Sequence, residues 1–210
     1  MFDISNIFLK IFDYELSYLE FFAVITAFAA VYVTSLGKVA GFYIGLVNNV
    51  LYFIFFYQCQ LYSVMFLQVA YFIISSYGIY SWLKPDANKE LLKITRLTTK
   101  QWIFVSVAIL LATVLWSSLI LGLSGKYPEH IEQPQYPYID ALLTMMSVCG
   151  QIILARKKID NWIIWMMVNG ASVALYAVIG IYFTSILCVV LLAIAIKAYI
   201  TWNKIRLAGQ

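Results

Sequence analysis

The chain has 210 residues, of which 63% are apolar and 11% charged, and it carries a net charge of +4. A soluble domain needs about 25% charged residues to coat its surface, and the mean hydropathy of +0.86 confirms the shortfall. Water-soluble enzymes, disordered chains and nucleic-acid binders are thereby excluded, which leaves an integral membrane protein.

A segment at 1–18 precedes the first apolar run and holds Asp3, Asp13 and Glu15 against Lys10, with Glu20 just beyond. A cleaved signal peptide needs a positive start and a small-residue cleavage site, so the first run is expected to remain in the mature protein. A membrane helix needs about 20 mainly apolar residues. Such runs fall at 19–36, 39–57, 61–82, 102–123, 138–155, 159–181 and 184–202, seven in all. Pro85, Pro128, Pro134 and Pro137 lie between them or just before them, where proline does no harm to a helix.

Lysine and arginine set the expected orientation. Lys84, Lys89, Lys93, Arg96 and Lys100 fill the segment 83–101, Arg156, Lys157 and Lys158 follow the fifth run, and Lys204 and Arg206 lie in the tail at 203–210. Lys38 follows the first run, whereas the opposite side has only Lys10 and Lys126. Because basic loops stay in the cytoplasm, the segment 1–18 is expected outside and the C-terminus inside. The segment 83–101 is then a basic cytoplasmic loop, and 124–137, with His130, an outside loop.

The chain also matches itself at an offset of 120 residues, without a gap, from Tyr18–Lys84 onto Tyr138–Lys204. Lys38 meets Lys158, Asn49 meets Asn169, Tyr62 meets Tyr182 and Trp82 meets Trp202, with Glu20 over Asp140. The expected fold is an all-α integral membrane protein built from two three-helix repeats, 19–82 and 138–202, joined by a linker helix at 102–123. An odd number of helices per repeat requires that linker if the repeats are to run parallel. Parallel repeats of this kind occur in transporters, with substrate held near the midplane between them.

Residues that could hold a solute follow from helical spacing. Trp162, Trp165 and Asn169 stand at i, i+3 and i+7 on one helix face. Trp162 also suits an interfacial anchor, while Asn169 alone could tie two helices. Asn48 and its neighbour Asn49 interrupt the second run; about 100° separates them, so both cannot face one cavity. Thr144 and Gln151 form a stripe with Ser147, and Gln68 forms one with Tyr71 and Ser75. Tyr80 closes the third run with Trp82, where an interface role is equally natural. Amides and hydroxyls donate and accept at once, which suits ligand hydroxyls, and indoles suit a flat or cationic ring. No Arg falls inside a run, so a phosphorylated ligand is disfavoured. The three cysteines, Cys59, Cys149 and Cys188, lack metal or redox spacing and read as packing residues. No cofactor and no metal is expected, and without a GxxxxGK[ST] motif or a buried carboxylate relay the expected movement is uncoupled.

The segment Lys157-x4-Trp162-x2-Trp165-x3-Asn169 and the run Tyr77-Gly78-Ile79-Tyr80-Ser81-Trp82 resemble signatures of the PnuC vitamin transporters. The layout of three, one and three helices agrees over nearly the whole chain. The resemblance implies a bacterial inner-membrane transporter of nicotinamide riboside, with a fold like that of the sugar-carrying SWEET proteins. It further implies facilitated diffusion, trapping of the product by a cytoplasmic nicotinamide riboside kinase, and a homotrimer in lipid. Trp162, Trp165 and Asn169 would take the pyridinium carboxamide, with Asn48 or Asn49 and Gln68 for the ribose. Related carriers of thiamine or riboflavin are the alternative. A membrane enzyme or a purely structural subunit finds less support in these residues.

Overall fold

The computed structural model describes residues 3–4, 6–11, 14–60, 62–85, 92–127, 136–180 and 182–208. Within them lie seven helices: α1 (Tyr18–Ser35), α2 (Ala40–Gln58), α3 (Tyr62–Leu83), α4 (Thr99–Lys126), α5 (Pro137–Ala155), α6 (Asn161–Val178) and α7 (Tyr182–Ala208). Each contains a window long and apolar enough to cross a membrane. His130, Lys89, Pro128 and Pro134 lie outside the described residues.

Local chemistry sets the helix ends. Ser17 caps α1 by accepting from the Glu20 N–H at 3.1 Å, and Glu20 adds negative charge where the helix dipole favours it. Thr98 and Gln101 cap the start of α4 reciprocally, which starts that helix three residues before the apolar run. Pro137 opens α5, where its missing N–H costs nothing. Helix α7 continues to Ala208, six residues past its apolar run, with Arg206 in its last turn bonded to Asn203. Ahead of the first apolar run lies a short antiparallel hairpin, β1 (Ile7–Ile11) and β2 (Tyr14–Ser17), that leads directly into α1.

The backbone follows the 120-residue offset closely. Among the described residues four have positive φ, and they form two offset pairs: Gly37 with Lys157, and Gln60 with Gly180. After α1, Gly37 N–H donates to Thr34 and Lys38 N–H to Val33; after α5, Lys157 donates to Leu154 and Lys158 to Ile153. Both helices therefore end in the same left-handed stop.

Helix neighbours follow the offset too. Among the described residues, α1 packs on α2, α2 on α3, α3 on α5, α5 on α6, α6 on α7, and α7 returns to α1. Six helices close a ring, while α4 lies outside it against α5. At about 1.5 Å per residue the 28 residues of α4 span roughly 42 Å, more than the hydrocarbon core.

At the end of the ring that carries Lys38, Lys84 and Lys158, a buried aromatic chain crosses the middle. Phe42 meets Trp82 edge-on at 5.0 Å, and Trp162 meets Trp202 edge-on at 5.6 Å. The two inner indoles, Trp82 and Trp202, lie 5.7 Å apart. Residues 92–98 strap this end. Thr95 exchanges backbone hydrogen bonds with Lys157 and Ile159, and Leu97 N–H donates to the buried Asp160 carboxylate at 2.6 Å. Arg96 reaches α7 by donating to the Tyr199 hydroxyl. Lys157 lies over the Trp82 ring at 4.7 Å, and partial burial pushes its ammonium below the usual range.

Candidate binding cavity between the two halves

The ring encloses a cavity of about 110 Å³, to which every helix of the ring contributes and α4 does not. Helix α1 supplies Ala30, Val31 and Thr34; α2 supplies Gly41, Phe42 and Gly45; α3 supplies Ser75. From the second half come Gln151 and Leu154 of α5, Trp162, Trp165 and Asn169 of α6, and Leu191 and Ala195 of α7.

Trp162, Trp165 and Asn169 share a face because of their helical spacing, and that face meets the cavity. Asn169 is buried and donates through Nδ2 to the Trp165 carbonyl, one turn back, at 2.8 Å. Its Oδ1 remains as an acceptor. Trp162 is only 2% exposed, and its Nε1 has no hydrogen-bond partner among the described residues. A buried indole N–H without an acceptor is costly; Trp162 lines the cavity, while this N–H is itself sealed off from solvent. A Cβ at Gly150 would stand 3.2 Å from Ile164 Cγ2 and in ordinary contact, at 3.5 Å, with Trp165 Nε1.

Across the cavity Gln151 donates to Ser75 Oγ at 3.3 Å, a bond from one half to the other. Thr34 is buried, with its hydroxyl donating to Ala30 O at 2.7 Å, so its oxygen still accepts. The lining thus consists of two indoles, two amides, two hydroxyls, one phenyl ring and aliphatic carbon. No Asp, Glu, Lys, Arg or His is part of it. The arrangement can clamp a flat ring and bond several hydroxyls, but it gives no counter-charge to an anion.

Of the residues singled out by spacing, Trp162, Trp165, Asn169 and Gln151 come together here. Asn48 is placed elsewhere: its Nδ2 donates to Ala23 O at 2.6 Å and to Thr26 Oγ1 at 3.1 Å, tying α2 to α1. Asn49 and Gln68 are buried but are not among the residues that line this cavity, and neither is the half-buried Thr144. Tyr80 is 57% exposed at the basic end and accepts from Lys84 Nζ at 2.8 Å. Spacing had not marked Thr34, Phe42 or Gly45. The offset does: adding 120 to 42 and 45 gives Trp162 and Trp165.

Seven membrane-length helices, six of them ringed around an uncharged cavity, define a multi-pass membrane protein of the small-solute carrier class. The chain belongs to the nicotinamide mononucleotide transporter family, whose model matches residues 17–204. The nicotinamide riboside transporter PnuC of Escherichia coli (strain K12) is 31% identical over 94% of this chain and 90% of its own length. That of Neisseria mucosa is 24% identical over 92% of this chain and 76% of its own. A crystal structure of the vitamin B3 transporter PnuC has the same fold, with a TM-score of 0.66 at 24% identity over 92% of this chain and 83% of that one.

Proposed function

We propose that this protein carries nicotinamide riboside across the bacterial inner membrane by facilitated diffusion. The observation that carries the reading is the cavity lining: indoles, amides and hydroxyls, with no basic side chain. The family bears the name of the mononucleotide and the Escherichia coli relative that of the riboside. A phosphate calls for Arg, Lys or a helix N-terminus, so the lining favours the cationic riboside over its phosphate ester.

In this reading the pyridinium ring lies on the Trp165 indole, a cation–π contact of about 0.5–2 kcal/mol. Its carboxamide N–H donates to Asn169 Oδ1. The ribose hydroxyls meet Gln151, Ser75 and Thr34. Sites for drug-sized ligands hold about 300–1,000 Å³, several times the present cavity, so the two halves part to admit the solute and the Gln151–Ser75 bond stretches first. No ionisable group lines the cavity, and the buried Asp160 carboxylate is engaged by the Leu97 N–H. Both features favour movement without a coupled proton. Kinase trapping on the cytoplasmic side then sets the direction, with the basic end inside, the N-terminus outside and a homotrimer as the assembly.

The test is calorimetric titration of purified protein with nicotinamide riboside, nicotinamide mononucleotide, thiamine and riboflavin. Saturable binding of the riboside with the mononucleotide at least ten-fold weaker is expected, followed by riboside uptake into liposomes without an ion gradient. Tighter binding of thiamine or riboflavin would replace the substrate. Tighter binding of the mononucleotide would overturn the argument from the lining.

A further inference from the structure

We propose that Gly45 sets the size of the solute this protein accepts, because it leaves open the place that its offset partner, Trp165, fills on the other half. The inference rests on the riboside reading. The face Trp162-x2-Trp165-x3-Asn169 of α6 recurs on α2 as Phe42-x2-Gly45-x3-Asn49. Two of the three positions keep their character, an aromatic ring and an amide. At the middle one an indole is exchanged for a hydrogen atom, and both versions line the same cavity.

Packing does not explain the glycine. At Gly41 a Cβ would overlap the Thr34 hydroxyl and stand 2.6 Å from the Thr34 backbone nitrogen, and at Gly78 it would stand 2.6 Å from the Phe42 ring. Those two glycines are required by their neighbours. At Gly45 the nearest atoms, Ala30 Cβ and Ser75 Oγ, would be 4.0 Å away, so an alanine fits the empty protein. Glycine weakens a helix interior relative to alanine, and no protein atom calls for it here any more than at Gly170. What sets Gly45 apart is that it lines the cavity, where a ligand can use the bare backbone. A ring lying on Trp165 is then sandwiched between that indole and the Gly45 face of α2, with Ser75 beside it. In this proposal the room opposite the indole takes a single six-membered ring and disfavours the fused three-ring system of riboflavin.

The experiment is riboside titration of wild type, Gly45→Ala, Gly45→Leu and Gly170→Ala, each with its thermal unfolding curve. Gly170 is in α6 with nothing within 4 Å of an added Cβ, and it does not line the cavity. Both alanine variants should melt at or above the wild-type temperature. Gly45→Ala should bind the riboside at least ten-fold more weakly, and Gly45→Leu should not saturate. Gly170→Ala should stay within two-fold of wild type. Wild-type affinity in Gly45→Ala overturns the inference alone, and that variant carries the test if Gly45→Leu fails to fold. A wild-type protein that does not bind the riboside overturns the functional reading, and this inference with it.

Discussion

Trp82 and Trp202 stand 120 residues apart in the chain, and each donates its indole proton into the opposite half of the ring. Trp82 Nε1 bonds the Leu154 carbonyl at 3.3 Å, and Trp202 Nε1 bonds the Ser35 carbonyl at 3.0 Å. Both acceptors lie in the last turn of a helix, where carbonyls have no partner within the helix. The Leu154 carbonyl also accepts from the Lys157 N–H, so the Trp82 bond is a second one there, while Trp202 satisfies the Ser35 carbonyl; both bonds hold the two halves together.

Trp202 is wholly buried, so Trp202→Phe should remove both a hydrogen bond and packed volume. A loss of about 1–3 kcal/mol is expected from stranding the Ser35 carbonyl. Thermal unfolding in detergent measures it. An unchanged midpoint would show that the bond contributes nothing to the closed ring.

Three glycine-to-alanine changes should rank by what the new methyl group meets. Gly41→Ala strikes backbone atoms, Thr34 N at 2.6 Å and Ala30 O at 2.8 Å, which cannot move aside. It should cost more than the 1–3 kcal/mol or so typical of an overpacked site. At Gly78→Ala the three nearest atoms all belong to the Phe42 ring, a side chain that can shift, and the cost should fall within that range. Gly170→Ala meets nothing and should gain up to about 1 kcal/mol from helix propensity. Melting curves on the three proteins check the order.

Asn48 and Asn169 should separate stability from binding. Asn48→Ala breaks the tie from α2 to α1 and should cost about 0.6–1.7 kcal/mol, the range for polar contacts between membrane helices, with riboside affinity held. Asn169→Ala gives up only a bond to its own helix, so its midpoint should change little while affinity falls at least ten-fold. The reverse pattern would move the amide that contacts the solute from α6 to α2.

Asp160→Ala should release the strap. The Leu97 N–H loses its acceptor, and the backbone pairing between Thr95 and Ile159 loses its neighbour. Hydrogen exchange at 94–98 should speed up at least ten-fold while amides in α5 and α6 keep their protection. Equal rates in both proteins would mean that Arg96 and Thr95 hold the strap without Asp160.

The seven helices were legible in the sequence because membrane spans declare themselves by apolar length. Their ends were less so. Thr98 and Gln101 extend α4, and polar caps of this kind carry no hydropathy signal. The cavity lining was legible where chemistry was bulky or polar, at Trp162, Trp165, Asn169 and Gln151. Adjacent Asn48 and Asn49 could not be ranked from spacing, since the choice depends on which neighbour reaches Ala23 and Thr26. Gly45 was silent as a residue type; only its relation to Trp165 makes it informative. The strap was hidden because it pairs Leu97 with Asp160 across 63 residues of chain, through a backbone group that no side-chain pattern records.

Synthesis meets the two indole bonds in a fixed order. The acceptor of Trp82 lies 72 residues downstream, so at about 5–20 residues per second the first three helices wait roughly 4–14 s for it. Ser35 waits 167 residues for Trp202, almost to the end of the chain. Until then α1 has a flank with no protein neighbour, and the ring stands open to lipid. A ribosome that stalls after α6 leaves a six-helix intermediate whose exposed seam any other copy of α7 could occupy. The last helix is thus the latch of the assembly, and the timing of its arrival decides whether the ring closes on itself.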